Sequence, residues 1–137
     1  MATTAAHQTL RTVIQVRFAD TDALGHINNG SFANYAEVAR LEFMLRLGRA
    51  VGSLILANLT IDFRRQVKFG EAITVDTWVE SLGTSSIKLV QLIRANEERA
   101  AEVKSVVVHF DYAAGTSLPL TPEMRAALEP YIDRPSA

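Results

Sequence analysis

Residues Ser31 to Leu47, reading Ser-Phe-Ala-Asn-Tyr-Ala-Glu-Val-Ala-Arg-Leu-Glu-Phe-Met-Leu-Arg-Leu, contain neither glycine nor proline. Phe32, Ala36, Ala39, Phe43 and Leu47 recur at three- and four-residue steps, which lines them along one stripe of a helix of about four turns. Tyr35, Val38, Leu41 and Met44 widen the stripe until little more than Asn34, Glu37, Arg40 and Arg46 is left for water or partners. A helix so apolar around its circumference is expected to be largely enclosed, and Gly48 gives it a C-terminal stop.

On either side of this helix the period changes to two. Upstream, Ile14, Val16 and Phe18 alternate with Gln15 and Arg17, which predicts a strand from Thr12 to Phe18 ending at Ala19. Downstream, Ile55, Ala57, Leu59, Ile61, Phe63 and Val67 fall on one side of a long strand, and Ile73, Val75, Thr77 and Val79 on one side of the next. Turns at Phe69-Gly70-Glu71, Leu82-Gly83-Thr84 and Asn96-Glu97-Glu98-Arg99 separate these strands from Ser85 to Arg94 and Val103 to Tyr112, so the neighbours are antiparallel hairpins. The run Val106-Val107-Val108 predicts that the last strand is covered on both faces and is central or nearly so. Thr121-Pro122-Glu123 opens a short, peripheral helix with Met124 and Leu128 on its apolar edge.

The expected fold is therefore α+β: a five-stranded antiparallel sheet wrapped around one long central helix, with a short C-terminal helix. At 137 residues the chain fits one domain, here 11–132, with a flexible N-terminus at 1–10 and a tail at 133–137. Cysteine is absent, which removes disulfide frameworks, thiolate metal sites and cysteine nucleophiles. The net charge is −1 and the basic residues are scattered rather than striped, so nucleic acid is not an expected partner. Met1 to Leu10 has no signal-peptide pattern and no run approaches the ~18 apolar residues of a membrane span, which leads us to expect a cytoplasmic protein.

The polar groups concentrate where the first strand gives way to the helix. Asp20-Thr21-Asp22-Ala23-Leu24-Gly25-His26-Ile27-Asn28-Asn29 holds two carboxylates, an imidazole and two amides. The first backbone N–H groups of a helix have no partner within it, and with the helix dipole they favour developing negative charge. A carboxylate beside them can activate water or attack a carbonyl while the N–H groups receive the oxyanion. Asp20 or Asp22 can equally cap turn amides, His26 can hold a carbonyl or orient a substrate, and Asn28 or Asn29 can cap the helix. No spacing matches a metal-ligand signature, a phosphate loop or a serine-nucleophile elbow. Arg64, Arg65 and Lys68 read either as a guarded sheet edge or as contacts to ligand phosphates.

The stretch Val16 to Asn29, with its Asp-x-Asp-x-x-Gly-His-x-Asn-Asn core and the following Tyr35, resembles the hotdog-fold acyl-CoA thioesterases of the 4-hydroxybenzoyl-CoA thioesterase-like family. The element order matches the hotdog order over almost the whole chain. The resemblance implies hydrolysis of an acyl-CoA to acid and CoA, with Asp22 as nucleophile or general base and the backbone N–H near Asn29 as oxyanion donor. It implies that Asp20 shapes the loop, that His26 and Asn28 orient the thioester or water, and that Gly25 and Tyr35 lie at the substrate. It implies a homo-oligomer, dimer or tetramer, with active sites between subunits, and no metal or cofactor beyond the CoA of the substrate. The chain departs from the family at Leu82 to Ser85, where the basic cluster that some members use for CoA phosphates is missing. Ser85 and Ser86 match only its small hydroxyl positions, leaving Arg64, Arg65, Lys68 or Arg99 for the phosphates. An acyl-carrier-protein thioester and a binding protein without hydrolysis are the alternatives.

Overall fold

A computed structural model of the chain describes residues 7–48 and 53–134. Its sheet consists of β1 (Leu10–Ile14), β2 (Leu54–Phe63), β3 (Ile73–Leu82), β4 (Ser86–Ala95) and β5 (Glu98–Asp111), with a two-residue β6 (Thr116–Ser117) added to the end of β5. The order is β1-β3-β4-β5-β2, antiparallel throughout. Successive hairpins thus fill the middle, and the strands that flank the long helix in sequence lie on opposite edges. Asn96 (φ 48°) and Glu97 (φ 68°) form the tight β4–β5 turn, both in the left-handed region that a two-residue hairpin needs to match strand twist.

The helix α1 runs Asn29–Arg46, two residues earlier than the pattern indicates, because Asn28 is its cap: Oδ1 accepts from Ser31 N–H at 3.0 Å. Phe32, Tyr35, Ala36, Ala39 and Phe43 are buried against β1, β3 and β4. The fully buried alanines bring the helix backbone close enough for Gln91 Nε2 on β4 to donate to the Ala36 carbonyl at 2.9 Å. The helix is not enclosed all round. Val38, Leu41 and Leu45 are 53%, 60% and 72% exposed, because one sheet covers only one side of a helix.

Three further expectations change. The first strand stops at Ile14, and Phe18, placed on its buried face by alternation, stands 78% exposed in a 3-10 turn (Phe18–Asp20). The carboxylate of Asp20 accepts from the Arg17 N–H at 3.0 Å, which closes that turn instead of extending the strand. The single stripe from Ile55 to Val67 is broken at Ala57, where β2 carries a bulge against β5. Leu56 pairs with Val107 and Leu59 with Ser105, so Leu54 and Leu56, rather than Ile55 and Ala57, share a face with Leu59, Ile61 and Phe63. Val67 lies past the strand but is fully buried. Finally, α2 (Pro122–Leu128) is short but not peripheral: Met124 and Leu128 close a second core cluster with Phe43, Val79, Ile87, Leu89 and Val107.

The expected termini, 1–10 and 133–137, lie mostly outside the described residues. Of those described, His7 stacks on Trp78 (ring centroids 5.3 Å apart), Gln8 N–H donates to Pro130 O at 2.8 Å, and Leu10 begins β1. No helix among the described residues is long and apolar enough to cross a membrane.

Candidate active site

The loop from Asp20 to Asn28 is held by its own backbone and by its two carboxylates, which do different work. Thr21 bridges Ile27, Asp22 N–H donates to His26 O at 2.7 Å, and Asn28 N–H to Asp20 O at 2.9 Å. Ile27 N–H donates to Val67 O at 2.7 Å, and Phe69 N–H to Gly25 O at 3.2 Å, tying the loop to the segment after β2. Gly25 sits at φ +80°, a conformation that reverses the chain beside Asp22 and disfavours any residue with a Cβ.

Asp20 is 4% exposed, and its oxygens are consumed. Oδ1 accepts from Arg17 Nη2 at 3.0 Å, and Oδ2 from Arg17 N–H at 3.0 Å and from Tyr35 Oη at 2.8 Å. Burial pushes its carboxyl toward neutrality, but the Arg17 N–H, the Tyr35 hydroxyl and the Arg17 guanidinium together hold it below the usual carboxylate range. Burial, with Asp20 adding to it, raises the Tyr35 phenol in turn. The Asp20 carbonyl also receives the Ser31 hydroxyl at 3.2 Å, so this residue locks the loop to the first turn of α1.

Asp22 is exposed to the cleft. Its Oδ1 accepts from Leu24 N–H at 2.8 Å and His26 N–H at 3.0 Å, while Oδ2 has no hydrogen-bond partner among the described residues. The two backbone donors, His26 first, hold this carboxyl below its ordinary value. One oxygen is thus anchored and the other is open.

A cleft of about 560 Å³ connects the loop to the end of β2. Asp22, His26, Asn28, Asn29 and Arg64 all line it. The N–H of Asn29, the first residue of α1, has no acceptor among the described residues and lies at the same cleft. The His26 ring Nδ1 is buried without a partner. Phe32 and Phe63 supply apolar walls, packed edge to face at 5.5 Å, and Gln66 adds an amide. Gln66 has no signal in the sequence, where the alternating pattern runs through it to Val67; the end of β2 at Phe63 turns it to the cleft.

The remaining sequence candidates sit elsewhere. Asp20 and Tyr35 line a second cleft of about 610 Å³ between β1 and α1, with Val13, Val38 and Leu41. Ser85 and Ser86 lie at the β3–β4 turn and line neither cleft; the Ser85 carbonyl accepts from His109 N–H and the Ser86 carbonyl from Gly83 N–H, both at 2.8 Å. Arg64 and Arg65, by contrast, both line the first cleft, where Arg64 reaches Glu102 at 3.4 Å and Arg65 is held by Glu71 at 2.9 Å. No cluster of three or more histidine, aspartate or glutamate side chains among the described residues is arranged to hold a metal ion.

An antiparallel sheet with a helix on one face, and a carboxylate loop feeding the N-terminus of that helix, defines the class. The model of the thioesterase-like superfamily matches residues 16–128, and the chain belongs to that superfamily. Among solved structures it is similar to a thioesterase of Thermus thermophilus complexed with coenzyme A and zinc (32% identity, TM-score 0.82, 92% of this chain and 96% of that one). It is also similar to a predicted thioesterase of Bacillus stearothermophilus (26% identity, TM-score 0.86, 94% of this chain and 100% of that one). Among curated proteins, the chloroplastic acyl-acyl carrier protein thioesterase ATL2 of Arabidopsis thaliana is 31% identical over 107 residues, 72% of this chain. The chain spans little more than half (57%) of that relative's length.

Proposed function

We propose that this chain hydrolyses acyl thioesters, with acyl-CoA as substrate and Asp22 as the reacting carboxylate. The observation that carries the reading is Asp22 itself: Oδ1 is pinned by two backbone N–H groups, Oδ2 is free, and the open N–H of Asn29 borders the same cleft. A thioester carbonyl between these groups meets a negative oxygen on one side and a donor for its developing oxyanion on the other. Asp22 either attacks that carbonyl carbon, releasing thiolate and leaving an anhydride that water cleaves, or removes a proton from the attacking water. In both routes the carbon–sulfur bond breaks and the products are acid and thiol. His26 and Asn28 orient the thioester, Phe32 and Phe63 face its acyl or pantetheine part, and Arg64 meets a CoA phosphate.

The coenzyme A bound to the Thermus relative supports the CoA reading, and the printed name of the Arabidopsis relative supports a carrier-protein thioester as the second. The cleft opens beside the unpaired edge of β2, which supports an assembly of two or four copies in which a partner completes the site. Neither a metal nor a cofactor is part of the proposed chemistry, and the cytoplasm is its proposed setting. The test is thiol release, followed with a disulfide reagent, over short, long, branched and aromatic acyl-CoAs. Turnover on at least one class, lost in Asp22→Asn, is expected; no release from any thioester would refute hydrolysis.

A further inference from the structure

One charged side chain stands at an apolar cleft that the reaction leaves unused. The helix α1 packs on β1, β3 and β4, which leaves β2 largely uncovered: Leu56, Leu59 and Phe63 are 45%, 37% and 46% exposed. Along this trough α1 and β2 run in opposite directions. Phe32 meets Phe63 at the Asp22 end, and at the far end Arg40 and Met44 border a cleft of about 260 Å³ with Leu54, Leu56 and Val107. Phe32, Ala36, Arg40 and Met44 follow at four-residue steps, so they share one flank of the helix.

Arg40 is the exception on that flank. It is half-buried, and its Nη1 is buried with no hydrogen-bond partner. Within α1 the one ion pair among the described residues joins Arg46 to Glu42; Glu37, one turn before Arg40 and bordering the same cleft, makes none. Burial works against the Arg40 charge, and Glu37, acting through space, only partly offsets it. A guanidinium stays protonated in a protein, so this donor is short of an acceptor. Purely apolar contents of the cleft would leave it so. A carboxylate would supply an acceptor, but beside Glu37 it would leave a net negative charge among leucine side chains. A hydroxyl suits both neighbours: its oxygen accepts from Arg40, and its O–H donates to the Glu37 carboxylate.

Length decides where such a hydroxyl sits in the substrate. From Asn29 to Arg40 the helix rises about 16 Å, and the arginine side chain leans back toward the helix N-terminus, which shortens the gap to roughly 10–12 Å. At about 1.2 Å per extended bond, that is a chain of roughly ten carbons. We infer that the acyl group taken by this protein is of that medium length and carries a hydroxyl at its far end, bound between Arg40 and Glu37 while its thioester lies at Asp22. This inference rests on the reading of the chain as an acyl-thioester hydrolase, and it gives Arg40 and Glu37 a part in substrate choice, not in the chemistry.

The experiment compares ω-hydroxydecanoyl-CoA with decanoyl-CoA and with the mono-CoA thioester of the matching dicarboxylic acid. Two readouts are taken: kcat/KM for thiol release by the full-length protein, and Kd by calorimetry on Asp22→Asn, which needs no turnover. The parent should prefer the ω-hydroxy chain over the plain one at least about tenfold in kcat/KM, through KM, and the carboxylate-ended chain should be the poorest of the three. In Arg40→Met, which keeps apolar bulk and removes every donor, the preference for the hydroxyl should fall below about twofold. A ratio of two substrates is insensitive to a general loss of active protein. Should Arg40→Met fail to fold, Glu37→Gln, at an exposed position, should raise the carboxylate-ended chain at least about threefold relative to the ω-hydroxy one. Equal turnover of the ω-hydroxy and plain chains by the parent would overturn the inference and leave hydrolysis standing, as would fastest turnover of the carboxylate-ended chain. A ratio unchanged in Arg40→Met would also overturn it, and a shift of oligomeric state in light scattering would then assign the guanidinium to contact between copies. Tighter binding of the ω-hydroxy thioester to Asp22→Asn, lost in Asp22→Asn/Arg40→Met, without thiol release by the parent would uphold the pocket and refute hydrolysis.

Discussion

Removing one oxygen, in Tyr35→Phe, isolates what holds the Asp20 loop. The Tyr35 hydroxyl is buried and donates at 2.8 Å to Oδ2 of a carboxylate that is itself 4% exposed. A hydrogen bond to a charged group contributes about 1.5–3 kcal/mol, and the phenylalanine ring keeps the packing, so the loss should fall in that range. With an unfolding entropy of roughly 0.3 kcal/mol/K for a chain of this length, Tm should drop by about 5–10 °C. The sign of the pH dependence follows from Asp20, whose carboxyl is depressed in the folded state. Its contribution is present above the unfolded value and is lost as pH falls through the folded one. Losing the Tyr35 donor raises that folded value, so the variant should begin to lose stability at a higher pH than the parent, and the gap between them should narrow once both carboxyls are protonated. Thermal unfolding followed by circular dichroism from neutral to acid pH measures both effects. A Tm within about 1 °C of the parent at neutral pH would refute the reasoning, because that corresponds to only about 0.3 kcal/mol.

The remaining expectations concern the open carboxylate, the loop backbone and acid stability. Asp22→Asn keeps an Oδ1 acceptor for Leu24 and His26 N–H but removes the reacting charge, so kcat should fall about 10²–10⁴-fold with the loop retained, as read by thiol release beside a circular dichroism melt. Because backbone donors hold Asp22 below its ordinary value of 3.8, the acid limb of the parent's kcat/KM profile should fall below that pH; a limb at or above it would contradict the geometry. Gly25→Ala meets no atom within 4 Å, so its cost is the left-handed backbone alone, about 1–2 kcal/mol in urea unfolding, with lower kcat as Asp22 loses its turn. Asp76, 7% exposed between Arg11 (2.8 Å) and Arg94 (3.0 Å), is pushed up by burial but held low by the two guanidinium groups. Its stabilising contribution is therefore present at neutral pH and lost as pH falls through its folded value, so Asp76→Asn should cost about 1–3 kcal/mol at pH 7 and little in acid.

Most of the fold is written in local periods. The three- and four-residue spacing of Phe32, Ala36, Ala39 and Phe43 locates α1 and its buried face, and the turns at Gly70, Gly83 and Asn96 locate the hairpins. The errors arise where one local interaction overrides a period. The Asp20 carboxylate captures the Arg17 N–H and ends the alternation before Phe18. The bulge at Ala57 reverses which side of β2 faces the helix. Met124 and Leu128 look peripheral because two apolar residues say nothing of what they plug.

The site divides in the same way. Sequence alone singled out Asp20 to Asn29, because five polar groups crowded before a helix start are visible without coordinates, and the family resemblance singled out Asp22 within it. Only the tertiary structure shows how the surroundings of the two acids differ. Asp20 is buried against Tyr35, fifteen residues away, whereas Asp22 keeps one oxygen open at a cleft closed by Phe63 and Gln66 from beyond the helix. Spacing along a chain fixes which residues share an element. Which carboxylate is desolvated and paired, and which stays open, depends on residues remote in sequence that only folding brings to them.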